Sequence, residues 1–413
     1  MITLTTFDEA REAFRSRDLR QALYDEGGRL MTGVIVNLHG ASHIARRRLE
    51  NRLFRRDTFA WYEADRIPTI VDAVLAPAIE AAEGDLLPLA RTTMLQLSTE
   101  VAGIDFATSS SAELARFSTL MERLARASTV AHATGDKAAI IDDGDAALHE
   151  FERDFFLGSW HRRTAIIDRV RRGELDDTAL PRDVLTTLLH NQDQLDLHYD
   201  TVLREVAYFP WVGSHSTSAQ LVHAMHHVFE WLVDHPDQRE RLASDDVFRQ
   251  RFVHESMRLH PASPVAMRVA TCDVPLRSGR VLGAGATVVI DVEQANRDAL
   301  VFGPSADLFD PSRQPADGVA PWGLSFGTGT HACLGQELAG GLEFDATIEH
   351  HLLGSVALMA GTMLRAGARP HRSRPPIADT ATTRRVWASY PVEFRPVEFR
   401  PVEFKPVQFG GPS

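Results

Sequence analysis

Between about residues 43 and 260 apolar positions recur every three or four residues. HIARRRLENRLF, IPTIVDAVLAPAIEAA, AELARFSTLMERLARA, ALHEFERDFFLGSWHRRTAIIDRVRR and PRDVLTTLLHNQ each put an apolar stripe on one side of a helical period. Beyond that point the pattern changes. PVAMRVATCDVPL and RVLGAGATVVIDVEQANRD are rich in small and β-branched residues and flank a glycine-bearing turn, which predicts paired strands. The expected fold class is therefore mainly α with a small β-sheet region, an α+β architecture. No Pro/Gly/Ser-rich linker divides the chain, so residues 1–395 are expected to form a single domain. From Pro391 to Ser413 the chain reads PVEFR-PVEFR-PVEFK-PVQF-GGPS, with a proline every five residues. That spacing forbids helix and interrupts a strand ladder. The first copy is expected to close a sheet edge, and residues 396–413 to form a mobile tail.

Composition narrows the field of functions. The chain has 413 residues, 44% hydrophobic and 24% charged, and a formal net charge of −12. Such a balance argues against a general nucleic-acid role, although the arginine-rich RRRLENRLFRR (Arg46–Arg56) runs the other way and is either a solvated helix face or a basic docking patch for an acidic partner. No apolar run approaches the roughly 18–20 residues of a membrane span. The first residues lack the basic and apolar regions of a signal peptide, so a cytoplasmic protein with no membrane partner is expected. Two cysteines rule out a disulfide framework. Cys272, in VATCDVPL, is expected to be an inert packing residue.

Cys333 has a different setting. Residues 326–335 read Phe326-Gly-Thr-Gly329-Thr-His331-Ala-Cys333-Leu-Gly335, followed by the helix-like QELAGGLEF. A thiol with a pKa of about 8.5 is mostly protonated at neutral pH and needs help to act as a ligand. A metal deprotonates it outright, and a helix starting just after it adds about 0.3–1 kcal/mol through its dipole. Glycines at 327, 329 and 335 admit backbone conformations that other residues resist and let the loop lie flat.

This loop, F-x-x-G-x-x-x-C-x-G, resembles that of the cytochrome P-450 family of heme-thiolate monooxygenases, specifically its soluble bacterial-type members. The resemblance extends over residues 5–395. Glu255-Ser-Met-Arg258 matches the family's E-x-x-R and is read as structural. LHPASPVAMRVA with Arg268, ANRD (295–298), LFDPSR (308–313), and His43 with Arg47 follow the family's order. The resemblance implies a P-450 fold; only 42 residues precede His43, so either the N-terminus is abbreviated or part of the natural protein is absent. It implies heme b with Cys333 as the metal ligand. His43, Arg47, Arg268 and His331 would contact the propionates, Phe326 would shield the sulfur, and Gly329 and Gly335 would make room for the macrocycle.

The oxygen-activating motif departs from its family. Where A-G-x-[Asp/Glu]-Thr is usual, the chain has Val212-Gly213-Ser214-His215-Ser216-Thr217. Histidine at the acid position shuttles protons without a fixed negative charge, and serine keeps the alcohol. His215, Ser216 and Thr217 are the catalytic candidates, in a helix that Pro210 is expected to kink. The resemblance implies a monooxygenase inserting one oxygen atom from O2 into a largely apolar small molecule, with Phe209, Val212, Pro264, Val265, Ala266 and Met267 around it. Electrons would come from NAD(P)H through a ferredoxin and its reductase. Two alternatives stay open: the same scaffold running peroxide-driven oxidation, nitration or rearrangement, and a heme-binding sensor without turnover.

Overall fold

The computed structural model describes residues 1–345, 347–348 and 351–395. Several of its helices begin where a short polar side chain caps them. After strand β1 (Ile2–Leu4) comes helix α1 (Phe7–Arg15), acidic in its first turn and basic in its last, as the helix dipole favours. Strand β2 (Leu19–Gln21) and helix α2 (Gly40–Glu50) follow, then α3 (Arg56–Trp61), which passes through one π turn into α4 (Ile67–Glu80). Strand β3 (Glu83–Asp85) leads to α5 (Leu86–Ala102) and α6 (Ser111–Ser128), where Ser110 accepts from the Glu113 amide. A second π turn joins α7 (Lys137–Phe151), capped by Asp136, to α8 (Leu157–Arg171), so the stretch from Ala147 holds two helices in sequence. Then come α9 (Val184–His190), capped by Asp183, α10 (Gln192–Leu195) and the 36-residue α11 (Tyr199–Asp234). Helices α12 (Arg239–Ser244) and α13 (Asp246–Leu259) precede the predicted strands.

Those strands are β4 (Val265–Ala270), β5 (Val274–Pro275), β6 (Val281–Leu282) and β7 (Thr287–Asp291). Short helices α14 (Val292–Ala295), α15 (Ala299–Phe302) and α16 (Gln336–Gly340), then α17 (Ser355–Arg365), lead to β8 (Ala368–Pro370), β9 (Ile377–Ala378), β10 (Trp387–Ser389) and β11 (Pro391–Phe394). One sheet has the order β1-β7-β4-β2. Strand β1 runs parallel to β7, and β4 antiparallel to it with Arg268 opposite Val288. A second sheet has the order β3-β11-β8. The first PVEF copy is therefore a middle strand and not an edge; its proline stands at the strand's first residue, where a missing N–H is tolerated. The later copies lie outside the described residues. Cys272 is not a packing residue: it sits in the bend after β4 and is exposed.

By contacts the chain groups into two units. The first holds Met1–Leu19, Arg56–Thr93 and the described residues from Ser216 on; the second holds Arg20–Arg55 and Met94–His215. In the first, α1 lays Phe7, Ala10, Ala13 and Phe14 into a core with Leu4, Val288, Ile290 and Phe302. Beside it, Arg258 is fully buried and donates to both Glu255 oxygens at 2.7 Å. Arg258 also reaches the Asn296 and Ala306 carbonyls at 2.6 and 2.8 Å, while Arg313 donates to Glu255 at 2.9 Å. The E-x-x-R pair is thus a hub on which the ANRD and LFDPSR segments hang. Removing one partner of such a buried pair typically costs about 3–5 kcal/mol.

The second unit is stitched by aromatic edges around Phe117, whose ring centroid lies 5.0 Å from that of Phe155 and 5.2 Å from that of Phe106. Among the described residues no helix is long and apolar enough to cross a membrane.

Candidate functional site

In the first unit the Cys333 loop is closed by one backbone bond: the Cys333 amide donates to the Phe326 carbonyl at 2.9 Å. Gly327 and Gly329 have φ of +63° and +76°, a region that disfavours side chains. Gly329 is needed twice over, because a Cβ there would stand 2.8 Å from the Phe14 carbonyl oxygen. Gly335 is different. Its φ of −91° suits any residue, and a Cβ would meet nothing within 4 Å, so only the room it leaves matters. Cys333 is exposed, and His331 is half-buried in the turn Gly329–His331. The Phe326 ring turns under α16: a Cβ on Gly340 would lie 3.1 Å from it, and Trp322 meets it edge-on at 5.7 Å.

Arg268 is 3% exposed on β4. Its guanidinium lies 5.4 Å from the centroid of the Phe14 ring and donates to the Met267 carbonyl at 2.9 Å. The same ring lies 3.7 Å from where a Gly327 Cβ would stand. Phe14 is thus a shelf that brings Arg268 and the cysteine loop together. The sequence does not announce this role for Phe14, because an apolar position does not name its target.

The helix after Cys333 is shorter than expected. Instead of running through QELAGGLEF it ends at Gly340, where Gly341 takes φ +73° and turns the chain out. Five helical residues supply little of the dipole reckoned from the sequence.

In the second unit His43 and Arg47 lie one turn apart on α2. His43 is 3% exposed, and burial first, then Arg47 and His39, push its imidazole down to about 4. It is neutral at physiological pH. Arg47 is half-buried and donates to Asn51 at 3.0 Å. The arginine-rich segment is not one solvated face. Arg46 is buried and donates to Glu205 at 2.6 Å, and Glu205 also accepts the Ile35 amide at 2.9 Å. Glu50 is wholly buried, and burial with Glu205 nearby raises its carboxyl well above the usual range. Arg48, Arg52, Arg55 and Arg56 point to solvent.

Helix α11 stays helical through Pro210. The Pro210 carbonyl accepts from Ser214 Oγ at 2.7 Å and Ser98 Oγ at 3.0 Å. A Cβ on Gly213 would come 3.0 Å from Ser98, so glycine permits this close approach. Burial sorts the altered motif by helix face. Val212, His215, Ser216 and Ala219, spaced i, i+3, i+4 and i+7, are all partly exposed, whereas Ser214 and Thr217 are buried. His215 and Ser216 therefore share a face, and Thr217 turns away from it. The His215 Nδ1 lies 3.0 Å from the Trp211 carbonyl and 3.2 Å from Ser214 Oγ. A carbonyl only accepts, so Nδ1 carries the proton and Nε2 the lone pair.

Of the expected pocket residues, strand alternation separates Val265 and Met267, partly exposed, from Ala266, which packs into the core on the opposite face with Ala270. Phe209 is buried with its ring stacked 5.8 Å from Phe54.

Among the described residues no group of three or more His, Cys, Asp or Glu gathers around a common point. Cys333 brings one soft anionic ligand, and Arg268 and His331 bring donors suited to carboxylates. That donor set fits a metal carried in its own anionic macrocycle.

The chain matches the cytochrome P450 family profile over residues 159–344. Cytochrome P450-SU2 of Streptomyces griseolus is 35% identical over 163 residues, 38% of this chain and 36% of that protein. Vitamin D(3) 25-hydroxylase of Pseudonocardia autotrophica is 30% identical over 203 residues, 49% and 46% of the two lengths. The chain thus spans less than half the length of these relatives. Its fold matches the crystal structure of CalO2 with a TM-score of 0.72 at 23% identity, covering 95% of this chain and 90% of that one. Residues 159–344 thus match the cytochrome P450 family by sequence, and nearly the whole chain shares the fold of CalO2.

Proposed function

We propose that the protein is a heme-thiolate monooxygenase that inserts one oxygen atom from O2 into a largely apolar small molecule, with electrons from NAD(P)H by way of a ferredoxin and its reductase. The observation that carries this is the Cys333 loop. Its amide is pinned to the Phe326 carbonyl, its sulfur is exposed, and its glycines are held against Phe14 beside a buried arginine. Cys333 would ligate the iron, and when bound the heme supplies the redox chemistry that thiolate donation biases towards O–O cleavage. Arg268 and His331 would hold carboxylates of the macrocycle, as would Arg47 and the neutral His43. His215 would take up and release a proton at Nε2, with Ser216 on the same helix face passing it on. Val212, Val265 and Met267 favour an apolar ligand, in keeping with a relative named for hydroxylation of vitamin D(3).

The test is Cys333→Ser. The variant is expected to lose the long-wavelength Soret band of the ferrous–CO complex, and an unchanged band would remove Cys333 as the ligand.

A further inference from the structure

Helix α16 stops at Gly340 and α17 starts at Ser355, yet the two ends touch. A Cβ on Gly354 would stand 2.5 Å from the Gly340 carbonyl carbon and from the Gly341 nitrogen. The Leu342 amide donates to the Leu352 carbonyl at 2.9 Å. The chain therefore leaves at Gly341 and returns to the same point. Such a break strands backbone donors and acceptors that a continuous helix pairs internally.

Three side chains from elsewhere take them up. His254 Nε2 donates to the Gly340 carbonyl at 2.7 Å. Gln250 Nε2 donates to the Leu352 and Leu353 carbonyls at 3.0 and 2.9 Å, and Gln250 Oε1 accepts from His351 at 2.8 Å. The Glu63 carboxylate accepts the Leu353 and Gly354 amides at 3.0 and 2.7 Å. Gln250 and His254 are 1% and 4% exposed, one turn apart on the helix that carries Glu255 and Arg258. From the clamp a line of contacts runs to the cysteine. The His254 ring meets Trp322 edge-on at 4.9 Å, Trp322 meets Phe326 at 5.7 Å, and the Phe326 carbonyl holds the Cys333 amide.

We infer that Gln250 and His254, with Glu63, are positioning residues for the Cys333 loop, closing the break after Gly340 and fixing the Phe326 edge from which Cys333 hangs. The inference rests on reading Cys333 as the metal ligand. Its test uses the holoprotein with His254→Leu, which removes the donor, and His254→Gln, which restores an N–H of similar reach. Gln250→Leu leaves the His254 bond in place and serves if the first variant does not fold.

Amide exchange over residues 333–340 is expected to be about ten- to a hundredfold faster in the leucine variants, as for loss of one buried hydrogen bond. Part of the ferrous–CO complex is expected to move to the short-wavelength form. His254→Gln should restore both. Unchanged exchange at 333–340 in a folded leucine variant, or an unshifted spectrum with faster exchange, overturns the positioning role. Failure of the glutamine variant to rescue does the same. If Cys333→Ser itself keeps the long-wavelength band, the ligand reading has failed, and the exchange measurement still decides whether the clamp holds the loop.

Discussion

His215 stands where the cytochrome P450 motif carries an acid, and its ring is tied back to its own preceding turn by the bond to the Trp211 carbonyl. That bond settles which nitrogen holds the proton and leaves Nε2 as the atom able to accept one. Ser216 shares the partly exposed face, while Thr217 is buried on another. The motif thus makes distinguishable forecasts. His215→Phe should lower product formed per NAD(P)H consumed by roughly several-fold, diverting electrons to peroxide, with heme content intact. Ser216→Ala should resemble it, and His215→Asp should keep part of the coupling. Thr217→Ala should change stability and leave coupling alone. Equal coupling in wild type and His215→Phe would sink the relay. Single residues differed in how well the sequence exposed them. Cys333, His43 and Arg268 were conspicuous as candidates, because they carry rare chemistry at fixed spacing. Phe14 was not, because a phenylalanine in an apolar stripe looks alike whether it meets a core or a functional loop.

At the scale of elements, helices with one apolar stripe were legible because the stripe is a local property. Helix α11 showed itself only through its motif, since its buried residues, among them Val202, Glu205, Val206, Tyr208 and Trp211, leave no one-sided stripe to read. The stop at Gly340 was missed for the opposite reason: adjacent glycines only weaken a helix, and what fixes the break is distant Gln250, His254 and Glu63. The second half of α11 also sets a pH response. The His223 ring stacks on His260 at 4.5 Å and bonds the Arg385 carbonyl; His227 lies on Phe309 at 4.3 Å and bonds Ser256; His226 meets the Tyr390 hydroxyl at 3.0 Å and Glu230 at 3.4 Å. Burial pushes His223 and His226 down to about 4, and His227 and His260 well below their ordinary value, with the neighbouring imidazoles and then Arg297 adding to the last two. The unfolded chain takes up protons as pH falls through about 6.5, but the folded chain does not until near 4, so stability falls with pH across that window. Urea titrations at several pH values should show this slope. His223→Gln should make it shallower near pH 5 by about 1.4 kcal/mol per pH unit, the value for one proton. An unchanged slope would mean that the imidazole is already charged in the native state.

For the whole molecule, the order of motifs along the chain was legible and its reason was not. Glu255 and Arg258 gather Asn296, Ala306 and Asp310 by bonds to backbone that no pattern of side chains announces, and Arg313 by an ion pair to Glu255. Charge makes the last forecast. With a net charge of −12 the molecule as a whole repels an acidic electron donor. A local basic surface must then guide the encounter. Arg46 is turned inward to Glu205, and Arg56 is paired with Glu337, so the exposed Arg52 and Arg55, between α2 and α3, are the charges of that segment to reverse, with Arg48 beside them on α2. Reversal of both, Arg52→Glu with Arg55→Glu, should slow reduction by an acidic ferredoxin by about tenfold at low ionic strength. Substrate affinity, read from the spin-state titration, should not move. Raising salt shortens the screening length from about 10 Å at 0.1 M to about 3 Å at 1 M, so wild-type and reversed rates should converge there. The sign is fixed by the physics: wild type slows with salt and the reversed variant does not. A wild-type rate that ignores salt and both reversals would place the electron entry elsewhere on the surface.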